Sequence, residues 1–128
     1  VGLETDVDAS LPPVLVDEDR IGQVLLNLAG NALQYTAPGG SVHISASSEG
    51  DCVRVTVVDT GIGIPGEHLP HVFERFYRVD KSRSRAGGGS GIGLTIARHL
   101  VEAHGGEMQA SSAGPERGSS FSFTVPAA

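Results

Sequence analysis

Three stretches of this chain carry groups that could do chemistry. In the first, Asn27, Asn31, Gln34 and Tyr35 recur at helical spacing and fall within an arc of roughly 100°. Asparagine is a mediocre helix former, because its short amide competes with the backbone for hydrogen bonds. Two of them mid-helix point to a use other than helix stability; the plain alternative is a polar outer surface. An amide oxygen is a hard ligand suited to Mg²⁺, and Tyr35 adds an aromatic plane to the same face. In the second stretch, Asp59-Thr60-Gly61-Ile62-Gly63-Ile64 follows a valine-rich strand pattern. A carboxylate at a strand end can accept from an amine such as a purine exocyclic amino group, and glycine permits close approach to the backbone. A plain turn after a strand is the competing reading.

The third stretch, Gly87-Gly88-Gly89-Ser90-Gly91-Ile92-Gly93-Leu94, runs straight into a helical pattern. Backbone amides at a helix start bind anions. A flexible linker is the alternative, but a linker has no reason to carry glycine into the helix itself. The stretch lacks the Gly-Lys-Ser/Thr ending of a Walker A loop and follows no strand as a dinucleotide fingerprint would. Five of the nine basic residues, Arg75, Arg78, Lys81, Arg83 and Arg85, bunch just before it. They read equally as a solvated loop or as an anion contact.

These groups need elements to hold them. Residues 1–7 alternate weakly as a short edge strand. Acidic residues 17–19 favour a helix start, and helical periodicity runs to about Tyr35, with Ile21, Leu25, Leu28, Ala29 and Ala32 on one side. Pro38-Gly39-Gly40 ends it. Residues 41–48 and 53–57 alternate about a tight turn at Glu49-Gly50-Asp51 and predict a hairpin. A short helix is expected over 67–73. A second long helix opens at Gly91, with Ile92, Ile96, Leu100 and Ala103 on its apolar side, and stops at Gly105-Gly106. Residues 108–112 and 119–125 close the chain as paired strands. The sequence predicts an α+β, two-layer sandwich, with helices covering one face of a mixed, mostly antiparallel sheet.

With 128 residues, 39% of them apolar, the chain fills one core. The net charge of −6 lacks the footprint of a nucleic-acid binder. Cys52 is the sole cysteine, so neither an internal disulfide nor a multi-cysteine metal site can form. No apolar run reaches the roughly 18 residues that span a bilayer.

Taken together, the segments resemble the nucleotide-binding boxes of the histidine-kinase catalytic domain, within the wider group of gyrase-type ATPases and heat-shock chaperones. Residues 27–36 resemble the N box and residues 59–64 the first glycine box. Phe73-Glu74-Arg75-Phe76-Tyr77-Arg78 is similar to the F box, and residues 89–94 to the second glycine box. The tail His104-Gly105-Gly106, then Gly118-Ser119-Ser120-Phe121 and Pro126, follows as well, so the likeness covers nearly the whole chain. It implies a Bergerat-type fold with residues 1–128 as one ATP-binding domain. Asn31 would coordinate Mg²⁺ on the ATP phosphates, with Asn27 beside it. Asp59 would take the adenine amino group, with Tyr35 near the base and Gly61, Gly63 and Ile64 shaping the pocket. Gly89, Ser90, Gly91, Ile92, Gly93 and Leu94 would present amides to the phosphates. Residues of about 65–90 would form an ATP lid anchored by Phe73 and Phe76, with Arg75 and Arg78 reaching phosphate or partner helices. Gln34 stands where such domains often carry lysine, which predicts an ATP affinity lower by on the order of 1 kcal/mol.

Gyrase-type and chaperone ATPases, like the anti-sigma-factor serine kinases, resemble one another in carrying a glutamate one turn before the Mg²⁺ asparagine. Here Asn27 stands there and cannot take a proton. The resemblance therefore implies transfer of the γ-phosphate to histidine, which is already nucleophilic near neutral pH, rather than hydrolysis. None of His43, His68, His71, His99 and His104 lies in a His-Glu/Asp-x-x-x-Pro context. The acceptor is expected on a separate dimerisation domain, in cis or in trans, with a response regulator downstream. This domain is expected to be cytoplasmic and monomeric alone, without autophosphorylation. A natural stand-alone subunit and a non-catalytic regulatory module are the alternatives.

Overall fold

Alternating and 3.6-residue periodicities become elements largely where they occur. The structure, a computed structural model, describes residues 2–7, 18–64, 66–74, 92–114 and 117–126. Its elements are Gly2–Val7 (β1), Glu18–Gln34 (α1), Ser41–Glu49 (β2), Cys52–Asp59 (β3), Ile92–Ala103 (α2), Met108–Ser111 (β4) and Ser119–Pro126 (β5). The sheet order is β1-β2-β3-β5-β4, antiparallel throughout except for the parallel β1–β2 pair. A parallel pair cannot be joined by a tight turn, so α1 makes the crossover. β2 and β3 are joined by the two-residue loop Gly50-Asp51, with Gly50 at φ 60°.

Register decides which residues look inward. Val42, Ile44 and Ala46 lie beside Asp59, Val57 and Val55. Asp59, Val57, Val55 and Val53 lie beside Ser119, Phe121, Phe123 and Val125 in turn. Because side chains alternate along a strand, Asp59 continues the inward valine row and ends it with a carboxylate. Val24, Leu28 and Ala32 of α1 and Ala97 and Val101 of α2 are each at most 2% exposed and join this face in one core.

The structure departs from three expectations. The buried stripe of α2 runs through Ala97 and Val101, whereas Ile96 is 43% exposed and Ala103 lies at the surface. The helix is apolar on more than one side, so periodicity alone could not choose between rows. The helix expected over 67–73 is a 3-10 turn, Leu69–His71. Pro70 has no N–H to donate and disfavours a helical residue before it. The start of α1 is as expected, but its most buried residue, Val24, falls between the residues assigned to its apolar side.

Both long helices end as their sequences suggest. The Thr36 hydroxyl donates to the Ala32 carbonyl at 2.7 Å. At the end of α2, Gly106 N donates to Val101 O and Gly105 N to Glu102 O, both at 3.0 Å, with Gly105 at φ 82°. This is the Schellman closure that glycine makes inexpensive.

Candidate functional site

Asp59, the loop after it and Tyr35 meet at one end of the sheet, where β3 and α1 finish and β2 and β5 begin. Asp59 is 6% exposed. Its Oδ1 accepts from Gly61 N at 2.9 Å and Ser119 N at 3.2 Å, and its Oδ2 from the Ser119 hydroxyl at 2.6 Å. A carboxylate offers about four acceptor positions, so one direction on Oδ2 stays uncommitted among these contacts. Ser119 escaped the sequence reading as a site residue, although its motif was noted. It stands 60 positions from Asp59 in the chain, and only the β3–β5 register sets the two side by side.

The loop after Asp59 is strapped on every side. Thr60 N donates to Ser41 O, Ile62 N to Tyr35 O and Gly118 N to Gly61 O, all at 3.1 Å. A Cβ on Gly61 would collide with the Tyr35 carbonyl, and one on Gly63, at φ 74°, with the Gly114 carbonyl. These glycines therefore admit the chain's own backbone, where the sequence suggested clearance for another molecule. The Ile64 side chain belongs to the core, and its amide is bonded to the Ser112 hydroxyl at 3.0 Å.

Along α1, Asn27, Asn31, Gln34 and Tyr35 are all half-buried. The Asn27 carboxamide oxygen accepts from Gln23 Nε2 at 2.9 Å. The Gln34 side-chain nitrogen is buried without a hydrogen-bond partner, alone in this among the described residues. An orphaned buried donor is costly and marks a place where a ligand acceptor would be welcome. Asn31 offers the hard oxygen that Mg²⁺ takes. Among the described residues no three His, Cys, Asp or Glu side chains converge to hold a metal. A Mg²⁺ ion at Asn31 would thus be held mostly by the phosphates and waters it brings, the usual arrangement for nucleotide-borne Mg²⁺.

Arg75, Arg78, Gly89, Ser90 and Gly91, with most of residues 65–90 and Phe76, lie outside the described residues. Ile92 and Gly93 open α2, and Leu94 packs against the core. The Thr95 hydroxyl in the first turn of α2 donates to the Phe73 carbonyl at 2.8 Å. The Phe73 ring meets Phe121 edge to face, with centroids 6.1 Å apart, and the Arg98 guanidinium lies 5.5 Å from its centre. The chain is thus clasped at Phe73 and Thr95, on either side of residues 75–91. Of the histidines, His43 lies in β2 opposite Val58, His71 pairs with Glu74 at 2.6 Å, and His104 bonds the Leu100 carbonyl at 2.7 Å.

A sheet covered on one face by two helices, with a buried carboxylate closing its inward valine row, agrees with the comparisons. Residues 16–128 match the family described as histidine kinase-, DNA gyrase B- and HSP90-like ATPase. The chain belongs to this family. It is 46% identical over 115 residues to the sensor histidine kinase WalK of Bacillus subtilis (strain 168), covering 88% of this chain and 19% of that protein. Among solved structures it resembles full-length ShkA in complex with AMPPNP, with TM-score 0.83 and 36% identity over 99% of this chain and 26% of that one. It also resembles the histidine kinase ThkA in complex with the response regulator protein TrrA, with TM-score 0.79 and 30% identity over 98% of this chain and 34% of that one. The chain thus spans about a fifth of its curated relative. No helix among the described residues is long and apolar enough to cross a membrane.

Proposed function

We propose that this chain binds Mg²⁺-ATP at the Asp59 end of the sheet and delivers the γ-phosphate to a histidine on a separate phospho-acceptor domain, as the catalytic part of a sensor histidine kinase in two-component signalling. The observation that carries the ATP reading is Asp59, a buried carboxylate held rigid by three donors with one acceptor direction spare. Such a group suits the adenine amino group and rejects the guanine carbonyl. Gln34, with its unsatisfied nitrogen, supports a second contact to an acceptor-rich ligand, which the triphosphate is. Asn27, half-buried in place of a general base, favours histidine over water as the acceptor. With a nucleophile that needs no deprotonation, positioning and charge neutralisation are most of the task. The ThkA–TrrA complex supports passage of the phosphoryl group to a response regulator. We read the domain as monomeric in isolation.

The test is calorimetric titration with a non-hydrolysable ATP analogue, with and without Mg²⁺, on the unaltered chain and on Asn31→Ala. Saturable binding that Mg²⁺ strengthens, with that gain lost in Asn31→Ala, is expected. Absence of saturable binding to the unaltered chain overturns the reading.

A further inference from the structure

Ser112, expected from the sequence only as the end of a strand, lies just past β4, and its hydroxyl joins the backbone segments on which the Asp59 contacts stand. Its Oγ lies 2.7 Å from Gly118 O and 3.3 Å from Gly114 O, so its single proton goes to Gly118. It accepts from Ile64 N at 3.0 Å and from Gly114 N at 3.2 Å. One donated and two accepted bonds use the whole capacity of a hydroxyl. Gly118 precedes Ser119, which holds both oxygens of Asp59, and its own N–H donates to Gly61 O at 3.1 Å. Ile64 closes the loop that begins at Asp59 and includes Gly61, the third donor to the carboxylate. Asp59 is thus fixed from two segments, 61–64 and 118–119, and Ser112 is a side chain that bonds both.

We infer that Ser112 is a positioning residue for base recognition: it sets the direction in which Asp59 presents its free acceptor position, without touching the ligand. The inference rests on the ATP reading above. Without the hydroxyl, two amides and one carbonyl lose a partner, and among the described residues the two segments are left joined by the Gly118–Gly61 backbone bond and by the Asp59 carboxylate itself. The Asp59 carboxylate can then turn, and discrimination between an exocyclic amine and a carbonyl falls, because such discrimination needs a fixed acceptor. The phosphate contacts proposed for Asn31 and the start of α2 involve no bond to Ser112 and should change less.

The test compares ATP and GTP affinities of the 128-residue chain and of Ser112→Ala by calorimetry, beside the melting temperature of each. The unaltered chain should prefer ATP. In Ser112→Ala, ATP should bind about tenfold more weakly, as expected for the loss of one or two net hydrogen bonds, with GTP nearly unchanged, so that the preference shrinks by the same factor. A merely structural role would lower the melting temperature and leave the ATP-to-GTP ratio intact, and that result overturns the inference. Should the variant not fold, amide shifts of the unaltered chain decide. Ile64 and Gly114 should respond to adenosine monophosphate and not to inorganic tripolyphosphate; silence, or equal response to both, overturns it. An unaltered chain that binds no nucleotide removes the ATP reading and this inference together. An ATP preference that survives in Ser112→Ala removes this inference alone.

Discussion

Replacing Asp59 separates its structural from its binding role, provided the replacement is chosen from the geometry. Three donors converge on the carboxylate at 2.9, 3.2 and 2.6 Å inside a 6%-exposed site. Alanine strips all three of their acceptor. The Ser119 hydroxyl can rotate elsewhere, but the Gly61 and Ser119 amides cannot. At roughly 1–3 kcal/mol for each of the two orphaned amides, Asp59→Ala should lose about 2–6 kcal/mol, a large share of the 5–15 kcal/mol typical of a domain. Lost ATP binding in that variant would therefore say little about adenine. Asp59→Asn is the informative change. Its Oδ1 still accepts from both amides, and its Nδ2 can donate to a rotated Ser119 hydroxyl, so the folded state should lose only about 1 kcal/mol of charge assistance. The same NH₂ group now faces the adenine amine, donor against donor. ATP binding should weaken by about 2–3 kcal/mol, or roughly 30- to 150-fold. Urea unfolding measures the first quantity and calorimetric titration the second. If Asp59→Asn stays folded and binds ATP within about threefold of the unaltered chain, the adenine assignment is wrong. If Asp59→Ala costs less than about 1 kcal/mol, the argument about buried donors is wrong.

The orphaned Gln34 nitrogen predicts opposite effects on folding and binding. Gln34→Leu should leave the ligand-free stability unchanged or raised, because an unmet donor is removed, while ATP affinity falls; Gln34→Lys should raise ATP affinity by on the order of 1 kcal/mol, and no gain in titration refutes the phosphate contact. Gly63→Ala should cost about 2–4 kcal/mol in urea unfolding, from its φ of 74° and the Gly114 carbonyl in the way. Gly30→Ala meets nothing within 4 Å on an exposed helix position, and should add up to about 1 kcal/mol. At the far end of the sheet the Arg54 guanidinium grips Glu49 at 2.6 and 3.0 Å and holds its carboxyl below the usual range. A depressed carboxyl contributes stability above its unfolded value of about 4.3 and loses it as pH falls through the folded one. The stability gap between the unaltered chain and Glu49→Gln should therefore be present at neutral pH, shrink with added salt and close on acidification; a gap that persists in acid refutes the ion-pair account.

Much of this protein was legible in its sequence because the signals are local. The 3.6-residue period of α1, the alternation in β2 and β3 about Gly50, and the Gly105-Gly106 stop each depend on neighbours a few positions apart, and each element formed where its pattern lay. The mid-helix asparagines and Asp59 stood out as candidates by residue type and local position. The sheet order, the parallel seat of β1 and the choice of Ala97 and Val101 over Ile96 and Ala103 as the buried row of α2 depend on what lies across the core. The same holds for the site. Ser119 and Ser112 are ordinary serines in a serine-rich stretch until the β3–β5 pairing and the 112–118 loop bring them to Asp59 and Ile64. Gly61 and Gly63 are required by the Tyr35 and Gly114 carbonyls, and neither contact has any trace in the local sequence. Sequence alone determined which chemistry the chain could carry, because side-chain identity and short-range periodicity are written residue by residue. Tertiary structure decided which groups hold that chemistry in place, because hydrogen bonds between positions 48 and 60 apart exist only once the sheet has closed.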